Sequence, residues 1–180
     1  VRYEFRMAGI PLYCDEPTTP EFSAPATAVR ALLALARGAD LTENLTTLAK
    51  TGLCALTEEE VCAFENYAYT WSPNAAAWRA AFRNDPKGFG DRELTEEDAR
   101  NLSDAEKTRA LLVNAADALR GKVRNANAEA ISRALYFCLR ELGAEEQQAA
   151  QVEAIRAARG IPEAEEAARE WNVVMELLDE

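Results

Sequence analysis

The chain has 180 residues and not one histidine. That removes the commonest general base and leaves carboxylates, lysine, tyrosine and cysteine for any acid–base chemistry. The four cysteines, Cys14, Cys54, Cys62 and Cys138, include no C-x-x-C pair. Without histidine, the usual zinc sets reduce to an all-cysteine site with no local spacing to support it. Cys62 and Cys138 sit among apolar residues of predicted helices, so buried free thiols are expected. Long apolar runs are missing too: none approaches the roughly 20 residues that span a bilayer. No charged segment followed by an apolar one opens the chain, so no signal peptide is visible, and a cytoplasmic location without a membrane partner is expected. No phosphate loop of the G-x-x-x-x-G-K-[ST] type, no G-x-G-x-x-G turn, no G-x-S-x-G elbow and no EF-hand loop occurs, which argues against ATP binding by this segment alone.

Positive charge is scarce, with 20 Lys and Arg against 31 Asp and Glu and a net charge of -11. Residues 1 to 90 hold 8 basic and 11 acidic side chains, and residues 91 to 180 hold 12 and 20. Such a balance repels phosphate and makes the domain as a whole a poor tracker of a nucleic-acid backbone. The tightest cationic cluster is Arg120, Lys122 and Arg124, with Arg133 further on. It reads as a solvated helix end, or as a weak contact for DNA or a partner.

What remains favours helix. The apolar share is 48%, close to the globular average, and Ala, Leu, Glu, Arg and Gln dominate while β-branched residues are scattered. Val1 to Met7 reads as the middle of a helix, stopped at Gly9, and Ile10-Pro11-Leu12-Tyr13-Cys14-Asp15 as a short strand that needs a partner from elsewhere. Ser23 caps a helix with Val29, Leu32, Leu33 and Ala36 on its apolar face. A shorter helix starts at Thr42 and stops at Gly52. Thr57-Glu58-Glu59-Glu60 is a capping box opening a helix striped with Val61, Phe64, Ala68 and Trp71.

Trp78 and Phe82 are expected to pin a long connection to the core. Trp71, Tyr67, Tyr69 and Phe64 also read as core, since a base-stacking platform would need interleaved Lys or Arg. Thr95 caps a short acidic turn, and Ser103-Asp104-Ala105-Glu106 reads as a further capping box before a helix carrying Leu112, Ala115 and Leu119, with Gly121 at its fraying end. Asn127 caps a core helix striped with Ile131, Leu135, Cys138, Leu139 and Leu142. Ala149, Val152 and Ile155 build a weakly apolar helix from Glu145 to Arg159. Pro162 opens the last one, which buries Trp171, Val174, Met175 and Leu178. The fold class is therefore all-α, an irregular bundle of about seven helices with one short N-terminal strand.

One carboxylate pattern suggests metal chemistry: Glu163-x-x-Glu166 with Glu176-x-x-Asp179, similar to the pairs that hold Mg²⁺ in helical nucleotide pyrophosphohydrolases. Both pairs lie on one predicted helix, whereas such a site needs carboxylates converging from facing helices, so a solvated acidic face is the preferred reading.

Taken as strings, several segments resemble AddB, the helicase-like and nuclease-bearing half of the AddAB-type ATP-dependent helicase-nuclease. Arg6-Met7-Ala8-Gly9-Ile10-Pro11-Leu12-Tyr13-Cys14-Asp15-Glu16 resembles the segment that leaves that family's second motor lobe. Lys50-Thr51-Gly52-Leu53 through Leu56-Thr57 to Val61, with Glu65-Asn66-Tyr67, is the most specific part. Trp78 with Phe82, the Ala134-Leu135-Tyr136-Phe137-Cys138-Leu139 helix with Leu142, and Trp171-Asn172 with Leu177-Leu178-Asp179 follow in order and spacing.

The resemblance implies that residues 1–16 end a preceding motor lobe, the source of the strand, and that residues 17–180 form the helical 2B-like insertion of a much longer polypeptide. It implies a parent that processes double-strand DNA ends for recombinational repair, using ATP, Mg²⁺ and an iron-sulfur cluster. None of the parent's active residues maps here: its nucleotide loop would precede residue 1, and its nuclease carboxylates and cluster cysteines would follow residue 180. Catalytic, cofactor-binding and metal residues are thus expected to be absent from this segment. The implied partners are the other lobes of the same polypeptide, the companion helicase-nuclease AddA, and DNA through the whole complex. The competing readings are an independent cytoplasmic helical adaptor and a carboxylate-metal enzyme.

Overall fold

A computed structural model describes residues 2–12, 23–90 and 93–179. The described residues are helical with irregular connections and contain no strand: α1 (Arg2–Met7), α2 (Ala24–Ala36), α3 (Leu41–Lys50), α4 (Glu58–Trp71), α5 (Ala75–Arg79), α6 (Glu96–Val123), α7 (Ala128–Glu141), α8 (Ala144–Arg159) and α9 (Ile161–Asp179). Of the expected strand, Ile10 to Leu12 is irregular backbone, and Tyr13-Cys14-Asp15 lies outside the described residues, as does the proposed boundary at residues 16 and 17.

Local signals set most helix starts. Ser23 Oγ accepts the Ala26 N–H at 3.3 Å, and Asn127 Oδ1 accepts that of Ala130 at 2.9 Å. Thr57 and Glu60 exchange hydrogen bonds in a complete capping box. Helix α3 begins one residue before the expected Thr42 because Asp40 is its cap, its Oδ1 accepting from Glu43 N–H at 2.9 Å. Such caps satisfy donors that the first helical turn leaves open.

The largest difference from the sequence reading is α6. Thr95 and Asp98 form the capping box of one continuous helix of 28 residues, with no break at Ser103, which is exposed in mid-helix. Asp98, Leu102, Ala105, Arg109, Leu112, Ala116 and Leu119 face inward, all but the half-buried Leu102 fully buried. Their spacing alternates four and three, the seam that lets one helix lie along another. Charged Asp98 and Arg109 occupy inward positions, which hides the stripe from a hydrophobicity reading.

Helices α4 and α6 pack along each other at the centre; α2 lies on α3 and α6, α7 on α6 and α9, and α8 pairs with α9. The centre is aromatic. Trp78 and Phe64 are buried with ring centroids 5.5 Å apart, and Tyr67 stacks on Phe82 at 3.9 Å. Burying a ring system of this size removes about 200 Å² from water, worth about 5 kcal/mol before entropic costs. Two expectations for α4 fail: Tyr69 is 89% exposed, and Cys62 is exposed as well. Both fall on the outer stripe 62, 66, 69, whereas the inner stripe is 60, 63, 64, 67, 68.

On α8 the buried residues are Ala144 and Gln148, with Val152 and Ile155 half-buried, while Ala149 faces solvent. The inner stripe is rotated because α8 meets α9 through small residues and Gln148, which donates to Ala167 O. Val174 of α9 is buried, and Trp171, Met175 and Leu178 pack half-buried against the core.

Candidate functional site

The four cations of the expected cluster have separate surroundings. Arg120, exposed, lines a cleft of about 410 Å³ with Gly38, Asp40, Asn74, Trp78 and Arg79. Lys122 Nζ lies 3.8 Å from Glu141 Oε1 on α7. Arg124 is the exposed residue ending α6, and Arg133 pairs with Glu129 at 2.8 Å within α7. Half-neutralised cations dispersed over two helices make a weak phosphate footprint.

The four patterned carboxylates Glu163, Glu166, Glu176 and Asp179 all belong to α9. Glu176 and Asp179 line a cleft against Glu129 and Arg133 of α7. Among the described residues no three His, Cys, Asp or Glu side chains gather as a metal-binding group. Burial, and then the charge of Glu166, raise the Glu170 carboxyl above its usual value.

The most specific string of the resemblance, by contrast, folds into one place. The chain leaves α3 through Lys50, whose Nζ meets Glu65 Oε1 of α4 at 2.8 Å. Thr51 Oγ1 donates to Leu48 O at 2.7 Å and accepts from Leu53 N–H at 3.3 Å. Gly52 adopts φ 71°, and a Cβ there would stand 2.3 Å from Gln151 Nε2 of α8. Gln151 uses that nitrogen to donate to Thr51 O at 3.3 Å. Leu53 and Cys54 then enter the core, and the Ala55 N–H donates to Leu142 O at 2.8 Å. Tyr67 of the Glu65-Asn66-Tyr67 segment accepts the Asn84 N–H at its hydroxyl, 3.2 Å away. The Lys50–Glu65, Gln151–Thr51 and Ala55–Leu142 contacts tie α3 and its turn to α4, α8 and the end of α7, Thr51 shapes the turn locally, and Tyr67 holds the connection after α5.

Ion pairs that the sequence reading missed brace the same centre. Glu60, largely buried on α4, accepts from Lys107 of α6, while Thr108 Oγ1 donates to Glu60 O at 3.3 Å. Burial by itself would raise the Glu60 carboxyl, but the Lys107 and Thr57 hydrogen bonds and the Lys107 charge outweigh it and hold it below its usual value. Glu106 behaves alike: burial opposes ionisation, and Arg109 with the Phe82 N–H outweighs it. Arg109 also donates to Trp78 O at 3.0 Å and lies 5.7 Å over the Phe82 ring. Apart from Glu106 with Arg109, three residues away on the same helix, these partners lie far apart in sequence, so no motif could have announced them.

Cys54 and Cys138 are buried, as expected of Cys138, and burial pushes their thiols up to about 12 and about 11. They stay protonated at neutral pH and are poor nucleophiles. Cys14 lies outside the described residues.

Fold and geometry thus define the class: an all-α bundle whose perturbed ionisable groups are mostly braces between helices. No helix among the described residues is long and apolar enough to cross a membrane. No protein-family model matches the chain, and no curated protein matches it.

Proposed function

We propose that this chain is a non-catalytic helical domain of the AddB component of an AddAB-type ATP-dependent helicase-nuclease, with an architectural role in packing the complex together and in shaping the DNA path. One observation carries the reading: Lys50-Thr51-Gly52-Leu53 and Glu65-Asn66-Tyr67, the strings most specific to that resemblance, meet through the Lys50–Glu65 pair and seat a turn against α8. Lys50, Thr51 and Glu65 also line an open cleft of about 480 Å³ with Thr27, Thr46 and Thr47, but their side chains are engaged within the fold, Lys50 with Glu65 and Thr51 with Leu48 and Leu53, which suits packing better than ligand chemistry.

A further support lies at the start of the chain, where Phe5, Met7, Ile10 and Leu12 are 36%, 70%, 51% and 39% exposed. Apolar side chains clustered in one short segment suit a surface that a neighbouring lobe covers. ATP, Mg²⁺ and the iron-sulfur cluster belong, on this reading, to other parts of the enzyme, and AddA and DNA are partners of the whole complex.

The test is to read the continuous frame on both sides of the codons for Val1 and Glu180. Helicase-like sequence before and a nuclease with clustered cysteines after would support the proposal. A frame lacking both would overturn it in favour of an independent adaptor.

A further inference from the structure

Helix α7 turns its inner stripe to the core and leaves two aromatic residues outside. Tyr136 is 39% exposed and Phe137 is 45% exposed, their rings packed edge to face 5.7 Å apart. Adjacent exposed aromatics on one helix are costly to leave in water, and they form a ridge here. On the Tyr136 side runs a cleft of about 730 Å³ towards α9, with Met175 and Leu178 as apolar floor and Glu129, Glu176 and Asp179 at its rim. On the Phe137 side runs a second of about 370 Å³, lined by Arg140, Glu141, Glu145 and Glu146.

The charge of this face selects its partner. Six carboxylates stand around the ridge against two arginines. Arg133 is bound to Glu129, and Arg140 lies 5.8 Å over the Tyr136 ring. Glu141 lies 3.8 Å from Lys122. A phosphate backbone approaching this surface would meet net negative charge on both sides, which disfavours nucleic acid. A helix with aliphatic residues along one stripe and arginines on its flanks meets the opposite situation. Its aliphatic residues fill the Met175–Leu178 floor, its guanidinium groups stack on the ridge as Arg140 already does, and its charges face the rim.

We propose that the outer face of α7, between its clefts with α9 and with the start of α8, is a docking surface for a basic amphipathic helix of a protein partner. The inference rests on this face alone and does not depend on the helicase-nuclease reading.

The test titrates the 180-residue protein with a fluorescent synthetic helix bearing Leu on one stripe and Arg on its flanks. The same helix with Glu replacing Arg, and duplex DNA, are run beside it. Saturable binding of the basic helix is expected, with neither of the others binding. Phe137→Ala should weaken it about tenfold, the loss typical of a central aromatic anchor. Glu146→Gln with Glu176→Gln should weaken it and flatten its salt dependence, whereas the charge-matched pair Glu58→Gln with Glu59→Gln on α4 should leave it within about twofold. Equal losses from both pairs would show charge attraction without a site and overturn the proposal. So would unchanged affinity in Phe137→Ala, or duplex DNA competing for the face.

Discussion

The helices around α4 and α6 and the hairpin of α8 and α9 are built by different means. In the first region Trp78, Phe64, Leu32, Leu45, Leu48, Leu112 and Leu119 are almost wholly buried, and ion pairs built on the buried Glu60 and Arg109 brace them. In the second the buried side chains are Ala144, Gln148, Ala164 and Val174. There, glutamine amides take over: Gln148 Nε2 donates to Ala167 O at 3.0 Å inside the hairpin, and Gln151 ties it to the Thr51 turn. Apolar area scales with stability, whereas a net hydrogen bond adds only about 1 kcal/mol. The first region is therefore expected to be the rigid half and the hairpin the half that opens more readily.

The largest expected effect falls on the rigid half. Trp78→Ala should cost about 3–5 kcal/mol in denaturant unfolding, against distinctly less for Val174→Ala in the hairpin. Equal losses would erase the distinction. Next, Arg109→Ala should cost about 2 kcal/mol, because Trp78 O loses its buried donor and Glu106 its partner. A loss no larger than that of an exposed pair such as Arg133–Glu129 would show that the brace is idle.

Gly52→Ala probes the joint between the two halves and should cost about 1–2 kcal/mol, from the positive φ and from displacing Gln151. In a Gln151→Ala background that loss should shrink, as a double-mutant cycle would record. The smallest effect is one of pH. Glu170 in the hairpin is held above the usual 4.5, so acidification through its raised value favours the folded hairpin. Glu60 and Glu106 are held below 4.5, so their contribution is present above that value and fades as pH falls past it. Thermal midpoints of Glu170→Gln and Glu60→Gln against pH should therefore deviate from wild type in opposite directions.

What the sequence made legible follows from range. Caps at Ser23, Thr57 and Asn127 and the α7 stripe from Leu135 to Leu142 are signals within one or two turns, and they appear where periodicity puts them, whereas the buried faces of α2 and α4 are turned so that Val29, Leu33, Val61 and Trp71 are half-buried. The break expected at Ser103 fails because Asp98 and Arg109 hold inward positions as charges, satisfied by Lys87 and by Glu106 with Trp78 O. The arginine and lysine set around residue 120 was visible as a string, but its pairing of Lys122 with Glu141 of α7 was not. Cys62 and Tyr69 show the same limit: adjacency to apolar residues in sequence does not decide which side of a helix is wet.

The central claim is that the strings carrying the resemblance serve packing, in a domain with one rigid half and one looser half. Hydrogen exchange of the folded chain, read amide by amide, tests it most directly. The account predicts the slowest exchange in α4, α6 and α7, with Leu53 and Ala55 of the turn close behind and α8 and α9 clearly faster. Protection as high in α8 and α9 as in α4 and α6, or a freely exchanging turn at Leu53 and Ala55, would contradict it.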